Sequence, residues 1–123
     1  MSKILIIEDN EYNIYLESFI LEKNGHQILS ALNGEDGIIL ASKERPDLIL
    51  LDIQLPIMDG YSVARALRQN HALDKTPIIA VTSYAMVGDR ENILTCGCND
   101  YIEKPINPDT FVDQVTSHLN RID

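Results

Sequence analysis

The sequence is poor in cysteine, and the arrangement of its few thiols excludes two common uses of this residue. Cys96 and Cys98 are the two cysteines of the chain, and Gly97 alone separates them. That spacing is too short for an ordinary disulfide, and no companion cysteine or histidine completes a zinc site. We interpret both cysteines as small apolar residues beside a glycine that ends a helix.

Basic residues are also scarce, which excludes partners of high negative charge. The chain has 10 Lys and Arg residues against 19 Asp and Glu residues, giving a net charge of −9. The resulting field repels a phosphate backbone and an anionic lipid surface. We therefore expect neither nucleic acid nor a membrane as a partner.

Long apolar runs are missing as well. Nothing approaches the roughly 20 apolar residues of a membrane span, and Met1-Ser2-Lys3 leads into a short strand rather than a signal peptide. We therefore predict a cytoplasmic protein. Its start at Met1 and its end soon after the last predicted helix favour a stand-alone protein.

What the sequence does contain is typical of one folded domain. Its 123 residues are 45% apolar and 24% charged, which argues against disorder. A chain of this length can bury roughly two-thirds of its unfolded surface. We predict a single domain over residues 1–123, with no second domain.

Short apolar runs alternate with segments of helical periodicity along the whole chain. The predicted strands are Lys3–Ile7, His26–Ala31, Leu48–Leu51, Ile78–Val81 and Asp100–Glu103. The predicted helices are Glu11–Lys23, Gly34–Lys43, Gly60–Gln69, Val87–Cys96 and a last one that begins at Pro108. The predicted helix caps are Asn10, Asn33 and Asn107. The first helix is expected to pack through Tyr12, Tyr15, Leu16, Phe19 and Ile20.

The run Leu48–Leu51 shows no polar alternation, which favours a parallel sheet that is covered on both faces. Short connections and right-handed crossovers leave few arrangements for such a chain. We predict an α/β fold, a flavodoxin-like (βα)5 doubly wound parallel sheet with strand order 2-1-3-4-5. Its ligand crevice lies at the carboxyl ends of strands one and three.

Charged and hydroxyl residues follow the strands that end at this crevice. Glu8 and Asp9 follow strand one, Asp52 follows strand three, and Thr82 and Lys104 follow strands four and five. Unit charges about 4 Å apart interact by ~4 kcal/mol at an effective dielectric constant of about 20, so clustered carboxylates bind either a proton or a cation. Mg²⁺ prefers such hard oxygen ligands, and we predict Asp9 and Asp52 among its ligands.

Asp52 can also act as a nucleophile toward phosphorus, since a carboxylate forms an acyl phosphate when nearby positive charge neutralises the transferred group. Lys104 is placed to pair with one phosphoryl oxygen as a compact point charge. The hydroxyl of Thr82 is placed to donate a hydrogen bond to another. Each of these roles uses a different strand end.

Several motifs resemble the receiver domain of bacterial response regulators, and the resemblance spans the whole chain. The matching residues are Glu8-Asp9, Asp52 within Leu51-Asp52-Ile53-Gln54-Leu55-Pro56-Ile57-Met58-Asp59-Gly60, Thr82-Ser83, Tyr101 and Lys104-Pro105. The chain is most similar to free-standing receivers such as the chemotaxis regulators, or to the receiver of a hybrid sensor kinase. An output domain is not expected.

The resemblance implies a phosphorylation-activated signalling switch of a two-component system. Asp52 is the implied phosphoacceptor, and the donor is a phosphohistidine on a histidine kinase or a histidine phosphotransfer protein. The implied cofactor is Mg²⁺, with Mn²⁺ as an alternative, and its implied ligands are Glu8, Asp9, Asp52 and the backbone carbonyl of Gln54. Lys104 and Thr82 complete the implied catalytic set.

The resemblance also implies how the signal is read and ended. Thr82 and Tyr101 are the implied switch residues, and the face of the fourth helix, fifth strand and fifth helix is the surface that a downstream protein binds. Such receivers are not metabolic enzymes, but they catalyse their own phosphorylation and slow autodephosphorylation. Gln54 and Tyr84 occupy positions that influence the access of water to the phosphoryl group.

Three alternatives fit the residues less well. An aspartyl-phosphate hydrolase of the haloacid-dehalogenase kind carries Asp-x-Asp on its first strand, whereas Asp52-Ile53-Gln54 follows the third. A flavin carrier needs hydroxyls and glycines where the acidic Glu8-Asp9 stands. A receiver-like docking module that is never phosphorylated remains the competing function.

We assign no catalytic or metal role to His26, His71 or His118, which we place in turn and surface segments.

Overall fold

The structure, a computed structural model, describes residues 2–83 and 87–119. Strands and helices alternate along these residues. The strands are β1 (Lys3–Ile7), β2 (Gln27–Ala31), β3 (Leu48–Asp52), β4 (Ile78–Thr82) and β5 (Asp100–Glu103). The helices are α1 (Glu11–Lys23), α2 (Gly34–Glu44), α3 (Gly60–Arg68), α4 (Val87–Thr95) and α5 (Pro108–Leu119).

The strands form one parallel sheet with the order β2-β1-β3-β4-β5, which confirms the predicted topology. Ile4 of β1 pairs with Ile28 on one side and with Leu48 on the other. The order of the strands reverses at β1 and β3, so the connections that follow them leave in opposite directions. A crevice opens at this point along the carboxyl edge of the sheet.

Two apolar clusters lie on opposite faces of the sheet, because neighbouring residues of each buried strand point to opposite sides. Side chains of α2, α3 and α4 pack on one face, and those of α1 and α5 on the other. Each fully buried Ile or Leu contributes roughly 1.5–3 kcal/mol relative to an exposed one. This packing confirms that helices cover both faces. Within the described residues, no helix combines the length and apolar character needed to cross a bilayer.

The predicted helix caps are confirmed. Asn10 Oδ1 accepts a hydrogen bond from Asn13 N at 3.1 Å, Asn33 Oδ1 accepts one from Asp36 N at 2.8 Å, and Asn107 Oδ1 accepts one from Asp109 N at 2.9 Å. Glycines end two of the helices with left-handed backbone, Gly25 at φ +90° and Gly97 at φ +114°. Caps and glycines therefore set the lengths of the elements.

The boundaries differ from the predicted ones by a residue at several ends. Asp52 and Thr82 are the last residues of β3 and β4 rather than the residues that follow them, because their backbones still pair with the neighbouring strands. A short 3-10 helix at His71–Leu73, which the sequence did not predict, precedes β4. A three-residue element is too short to show an apolar period.

The predicted inward face of α1 is partly wrong. Tyr12, Tyr15 and Phe19 are 70%, 68% and 54% exposed. The buried residues of this helix are Glu17 and Leu21, with Ile14 and Ile20 packed against the same cluster. This helix carries two rows of apolar side chains, and the row with the larger side chains faces solvent.

Candidate active site

Parallel strands bring the predicted site residues to one edge of the sheet. Glu8 directly follows β1, Asp52 ends β3, Thr82 ends β4 and Lys104 directly follows β5. The backbone continues the sheet at both flanks of this group, since Glu8 N donates to Ala31 O at 3.0 Å and Lys104 N donates to Thr82 O at 2.8 Å. The positions of these side chains therefore follow from strand register.

The three predicted acidic ligands lie together. Glu8, Asp9 and Asp52 each place a carboxylate oxygen within 4.8 Å of the others. Glu8 is 2% and Asp52 3% exposed, whereas Asp9 faces solvent. Two buried carboxylates and one exposed carboxylate thus form a pocket that opens on the side of Asp9.

Lys104 supplies positive charge to this pocket. Its Nζ donates to Glu8 Oε1 at 2.9 Å and lies 3.3 Å from Asp52 Oδ2. Burial lowers the pKa of Lys104, but the hydrogen bond to Glu8 and the charges of Asp52 and Glu8 outweigh that effect and raise its pKa overall. The ammonium is therefore held in its charged form between two acids.

One lysine does not fully compensate the acids. Burial and the adjacent Asp52 carboxylate raise the pKa of Glu8 to about 7, although Lys104 acts in the opposite direction. The other hydrogen bonds to Glu8 come from Asn10 N at 3.2 Å and Asn13 Nδ2 at 3.4 Å. The pocket therefore has a deficit of positive charge, which a proton or a metal cation can supply.

The loop after β3 holds the Asp52 side chain in place. Gln54 N donates to Asp52 Oδ1 at 2.9 Å, which leaves Oδ2 on the Lys104 side. Gly60 closes the loop by donating its N–H to Ile53 O at 2.9 Å. A Cβ at Gly60 would lie 2.6 Å from the Asp52 carbonyl oxygen, so only glycine permits this approach. Gln54 Oε1 accepts from Ser83 N at 3.2 Å and links the loops after β3 and β4.

The two predicted switch residues occupy different surroundings. Thr82 is fully buried at the end of β4, beside the pocket. Tyr101 is half-buried on β5, and its ring centroid lies 5.3 Å from Cζ of Arg90 on α4. Tyr101 thus joins β5 to α4. Tyr84 lies outside the described residues.

Sequence reasoning missed Glu17, a second buried acid near the pocket. This side chain on α1 is 3% exposed, and burial followed by the charge of Glu8 raises its pKa to about 8. Glu17 and Lys104 line a common cavity of about 360 Å³ between α1 and the segment after β5. The spacing of Ile14 and Leu21 on the same helix face was the available signal.

The interpretation of His118 as a surface residue is wrong. His118 is 8% exposed on α5, and its Nε2 lies 2.9 Å from Asp100 Oδ2 on β5. The contact fastens α5 to the strand that precedes Lys104. His118 is therefore a structural residue of the α5–β5 contact.

The arrangement agrees with comparisons to known proteins. Residues 4–116 match the response regulator receiver domain. DivK of Brucella anthropi, a polar-differentiation response regulator, is 42% identical over 116 residues, which cover 94% of each chain. DivK of Brucella ovis is 40% identical over the same share of each chain.

Solved structures share the fold over nearly the whole chain. The receiver domain of a sensor histidine kinase from Pseudomonas aeruginosa, with a magnesium ion coordinated in its active-site cleft, has a TM-score of 0.90 at 34% identity and 98% coverage of both chains. A CheY-like receiver from Methanospirillum hungatei has a TM-score of 0.90 at 28% identity, covering 98% of this chain and 94% of that one. Together with the sequence match, these likenesses show that the chain belongs to the response regulator receiver domain family.

Proposed function

We propose that this chain is a phosphorylation-activated switch in which Asp52 accepts a phosphoryl group from a phosphohistidine. The donor is a histidine kinase or a histidine phosphotransfer protein, which are the partners of receiver domains in general. The observation that carries the proposal is the position of Asp52. This carboxylate is almost fully buried, contacts the ammonium of Lys104 at 3.3 Å and shares a pocket with two further acids.

The donor set fits a hard divalent cation. Receiver domains bind Mg²⁺ in an acidic active site. Here Glu8, Asp9 and Asp52 supply carboxylate oxygens within 4.8 Å of one another, and the raised pKa of Glu8 marks the charge deficit that a cation removes. We assign these residues and the backbone carbonyl of Gln54 as ligands of Mg²⁺, or of Mn²⁺ in its place. When bound, the ion would neutralise charge on the transferred phosphoryl group.

Side chains of the pocket carry out the remaining steps of phosphoryl transfer. Asp52 attacks phosphorus through a carboxylate oxygen, so a P–O bond forms while the P–N bond to the donor imidazole breaks and the imidazole leaves as a neutral ring with a proton from solvent. Lys104 Nζ moves from its acidic partners to a phosphoryl oxygen. The Thr82 hydroxyl donates to another phosphoryl oxygen. Asp52 Oδ1 stays fixed by Gln54 N.

The signal passes from the pocket to the face formed by α4, β5 and α5. Phosphorylation adds negative charge beside Lys104, at the end of the strand that carries Tyr101. Tyr101 in turn contacts Arg90 of α4. We assign Thr82 and Tyr101 as the switch residues and this face as the surface that a downstream protein binds. Slow autodephosphorylation of Asp52 returns the chain to its resting state.

Four earlier expectations remain part of this proposal. Residues 1–123 form a single receiver domain, and the protein is cytoplasmic. It binds neither nucleic acid nor a membrane, consistent with its net charge of −9. Its chemistry is confined to its own phosphorylation and dephosphorylation, rather than the conversion of a metabolite.

Labelling with acetyl phosphate tests the proposal. In the presence of Mg²⁺ we expect one phosphoryl group per wild-type chain, detected by intact mass, and its loss on treatment with hydroxylamine, which cleaves acyl phosphates. Asp52→Asn should remain unlabelled, because its amide is not a nucleophile. Asp113→Asn, an exposed substitution on α5, should label like wild type.

Two outcomes would decide against the proposal. Equal labelling of wild type and Asp52→Asn would assign the phosphoryl group to another residue. A wild-type chain that stays unlabelled, and that no phosphohistidine protein labels either, would favour the competing function of a docking module that is never phosphorylated.

A further inference from the structure

Cys96 and Cys98 form a close pair of thiols at the turn between α4 and β5. Their Sγ atoms are 3.8 Å apart, and both side chains are buried, at 4% and 5% exposure. Gly97 lies between them with φ +114°, a backbone conformation that turns both side chains toward each other. The turn thus brings the sulfur atoms into contact despite a spacing that is unfavourable for a disulfide.

The surroundings make the two thiols unequal. The hydrogen bond with Cys98 and, to a smaller extent, the positive charge of Arg65 lower the pKa of Cys96 to about 7 against the opposing effect of burial. The same hydrogen bond and burial raise the pKa of Cys98. Nucleophilic attack requires a thiolate, and we take Cys96, the thiol with the lowered pKa, as the attacking member. Its Sγ donates to Ile93 O at 3.0 Å in the structure, and this hydrogen bond is lost when the thiolate forms.

Cys96 is also the member that borders a surface cavity, with 4% of the residue exposed. It lines a surface cavity of about 460 Å³, together with Arg65 and Arg68, whereas Cys98 is not part of that lining. Low thiol pKa, neighbouring positive charge and an adjacent second cysteine are the features of oxidation-sensitive thiols. The position of this cavity, beside α3 and the α4–β5 turn, is separate from the acidic pocket.

We propose that Cys96 and Cys98 are a reversible redox pair that hydrogen peroxide converts to an intramolecular disulfide. The Cys96 thiolate attacks one peroxide oxygen, so an S–O bond forms, the O–O bond breaks and hydroxide leaves. Cys98 sulfur then attacks Cys96 sulfur, the S–O bond breaks, and the oxygen leaves as water with the Cys98 proton. Two thiols lose two electrons in total, and the peroxide is reduced to water.

The turn explains why the disulfide is easily reduced again. Bond formation requires the sulfur atoms to approach to about 2.05 Å, and a ring closed over one intervening residue departs from relaxed disulfide geometry. Arg68 resists rearrangement of the turn, because its Nε donates to Gly97 O at 2.9 Å and its Nη2 to Asn99 Oδ1 at 2.8 Å. Constrained disulfides have less negative reduction potentials, which suits a labile modification.

Intact mass spectrometry after mild peroxide treatment tests the proposal. The chain has two cysteines, so thiol counts are unambiguous. We expect monomeric wild type to lose the mass of two hydrogens and both free thiols, and dithiothreitol to restore them. In Cys98→Ser, oxidation should stop at a sulfenic acid on Cys96 that dimedone traps. In Cys96→Ser, the remaining thiol should react more slowly than Cys96 does in Cys98→Ser, because Cys96 and not Cys98 lines the surface cavity.

Three results would overturn the redox pair. The first is wild type that keeps both thiols while glutathione in the same tube is oxidised. The second is a disulfide found only between two chains. The third is equal reaction rates of Cys96→Ser and Cys98→Ser, with folded circular dichroism spectra for both. The wild-type measurement stands by itself if a serine variant fails to fold.

Discussion

Two buried acids near Asp52 differ in how their charge is compensated. Glu8 accepts a hydrogen bond from Lys104 Nζ at 2.9 Å and two weaker ones from asparagine groups. Glu17 is as deeply buried, and Lys104 affects it only through space, against burial and the charge of Glu8. Glu17 therefore costs stability whenever the unfolded chain can ionise it and the folded chain cannot.

We expect Glu17→Gln to stabilise the protein at pH 8 and to have little effect at pH 4. The folded state holds the Glu17 proton up to a pKa of about 8, compared with an ordinary value of 4.5. Between these values the folded state binds more protons than the unfolded state, so the stability of wild type falls as pH rises. Glutamine lacks this penalty, and we expect a gain of about 1–3 kcal/mol at pH 8 from urea unfolding.

Glu22→Gln provides the matched control for this prediction. Glu22 lies on the same helix but is exposed, and surface substitutions usually change stability by less than about 0.5 kcal/mol. A stability difference between Glu17→Gln and wild type that stays constant from pH 4 to about pH 8 would show that Glu17 does not titrate as described.

The residues of the acidic pocket were predictable because strand ends are visible in a sequence. Each apolar run of β1 and β3 stops at an acid, and parallel strands place such acids side by side. Glu17 was not predictable in this way, since a lone acid on a helix is usually exposed. Its helical spacing from Ile14 and Leu21 was the available local signal, and its burial arises from packing between α1 and the segment after β5.

At the scale of elements, strands and caps were predicted better than helix faces. The strands β1, β3 and β4 are nearly continuous apolar runs that leave little ambiguity, and asparagine caps mark three helix starts. In α1, by contrast, Tyr12, Tyr15 and Phe19 form a stripe at helical spacing that resembles a core face but is exposed. On the face that packs on the sheet, Leu21 and Glu17 are buried and Ile14 is partly buried.

The exposed aromatic stripe of α1, formed by Tyr12, Tyr15 and Phe19, is suited to bind the protein that donates the phosphoryl group. The rings of Tyr15 and Phe19 stack at 6.3 Å, and Tyr12 on the same helix lines the cavity that Lys104 shares. Exposed aromatic groups beside a reactive residue are typical of protein docking surfaces. A phosphohistidine protein that covers this stripe would reach Asp52 at the edge of the sheet.

We therefore expect the double variant Tyr15→Ala and Phe19→Ala to slow phosphotransfer from a purified histidine phosphotransfer domain by about tenfold or more, the usual effect of losing an aromatic anchor. Labelling by acetyl phosphate should be unchanged, since that small donor needs no docking surface. Ile39→Ala removes an equally exposed apolar side chain, 60% exposed, from α2 on the opposite face of the sheet, and should affect neither donor. Equal slowing with both donors would indicate damage to the pocket instead.

At the scale of the whole molecule, charge is unevenly compensated. The chain carries −9 overall, and its acidic pocket concentrates three carboxylates around one lysine. Any salt screens the general repulsion between surface acids, whereas only a coordinated cation relieves the repulsion inside the pocket. The two contributions to stability can therefore be separated by comparing cations at equal ionic strength.

We expect Mg²⁺ to raise the free energy of unfolding beyond the effect of NaCl at matched ionic strength. An ion that binds only the folded state stabilises it by RT ln(1 + [L]/Kd), which is about 1.4 kcal/mol at tenfold excess over Kd. Asp9→Asn should lose most of this increment, because it removes an accessible carboxylate ligand, while Asp113→Asn should keep it. Urea unfolding of each variant in Mg²⁺, in NaCl and after addition of a chelator measures the increment, and identical increments for Asp9→Asn and wild type would remove Asp9 from the metal site.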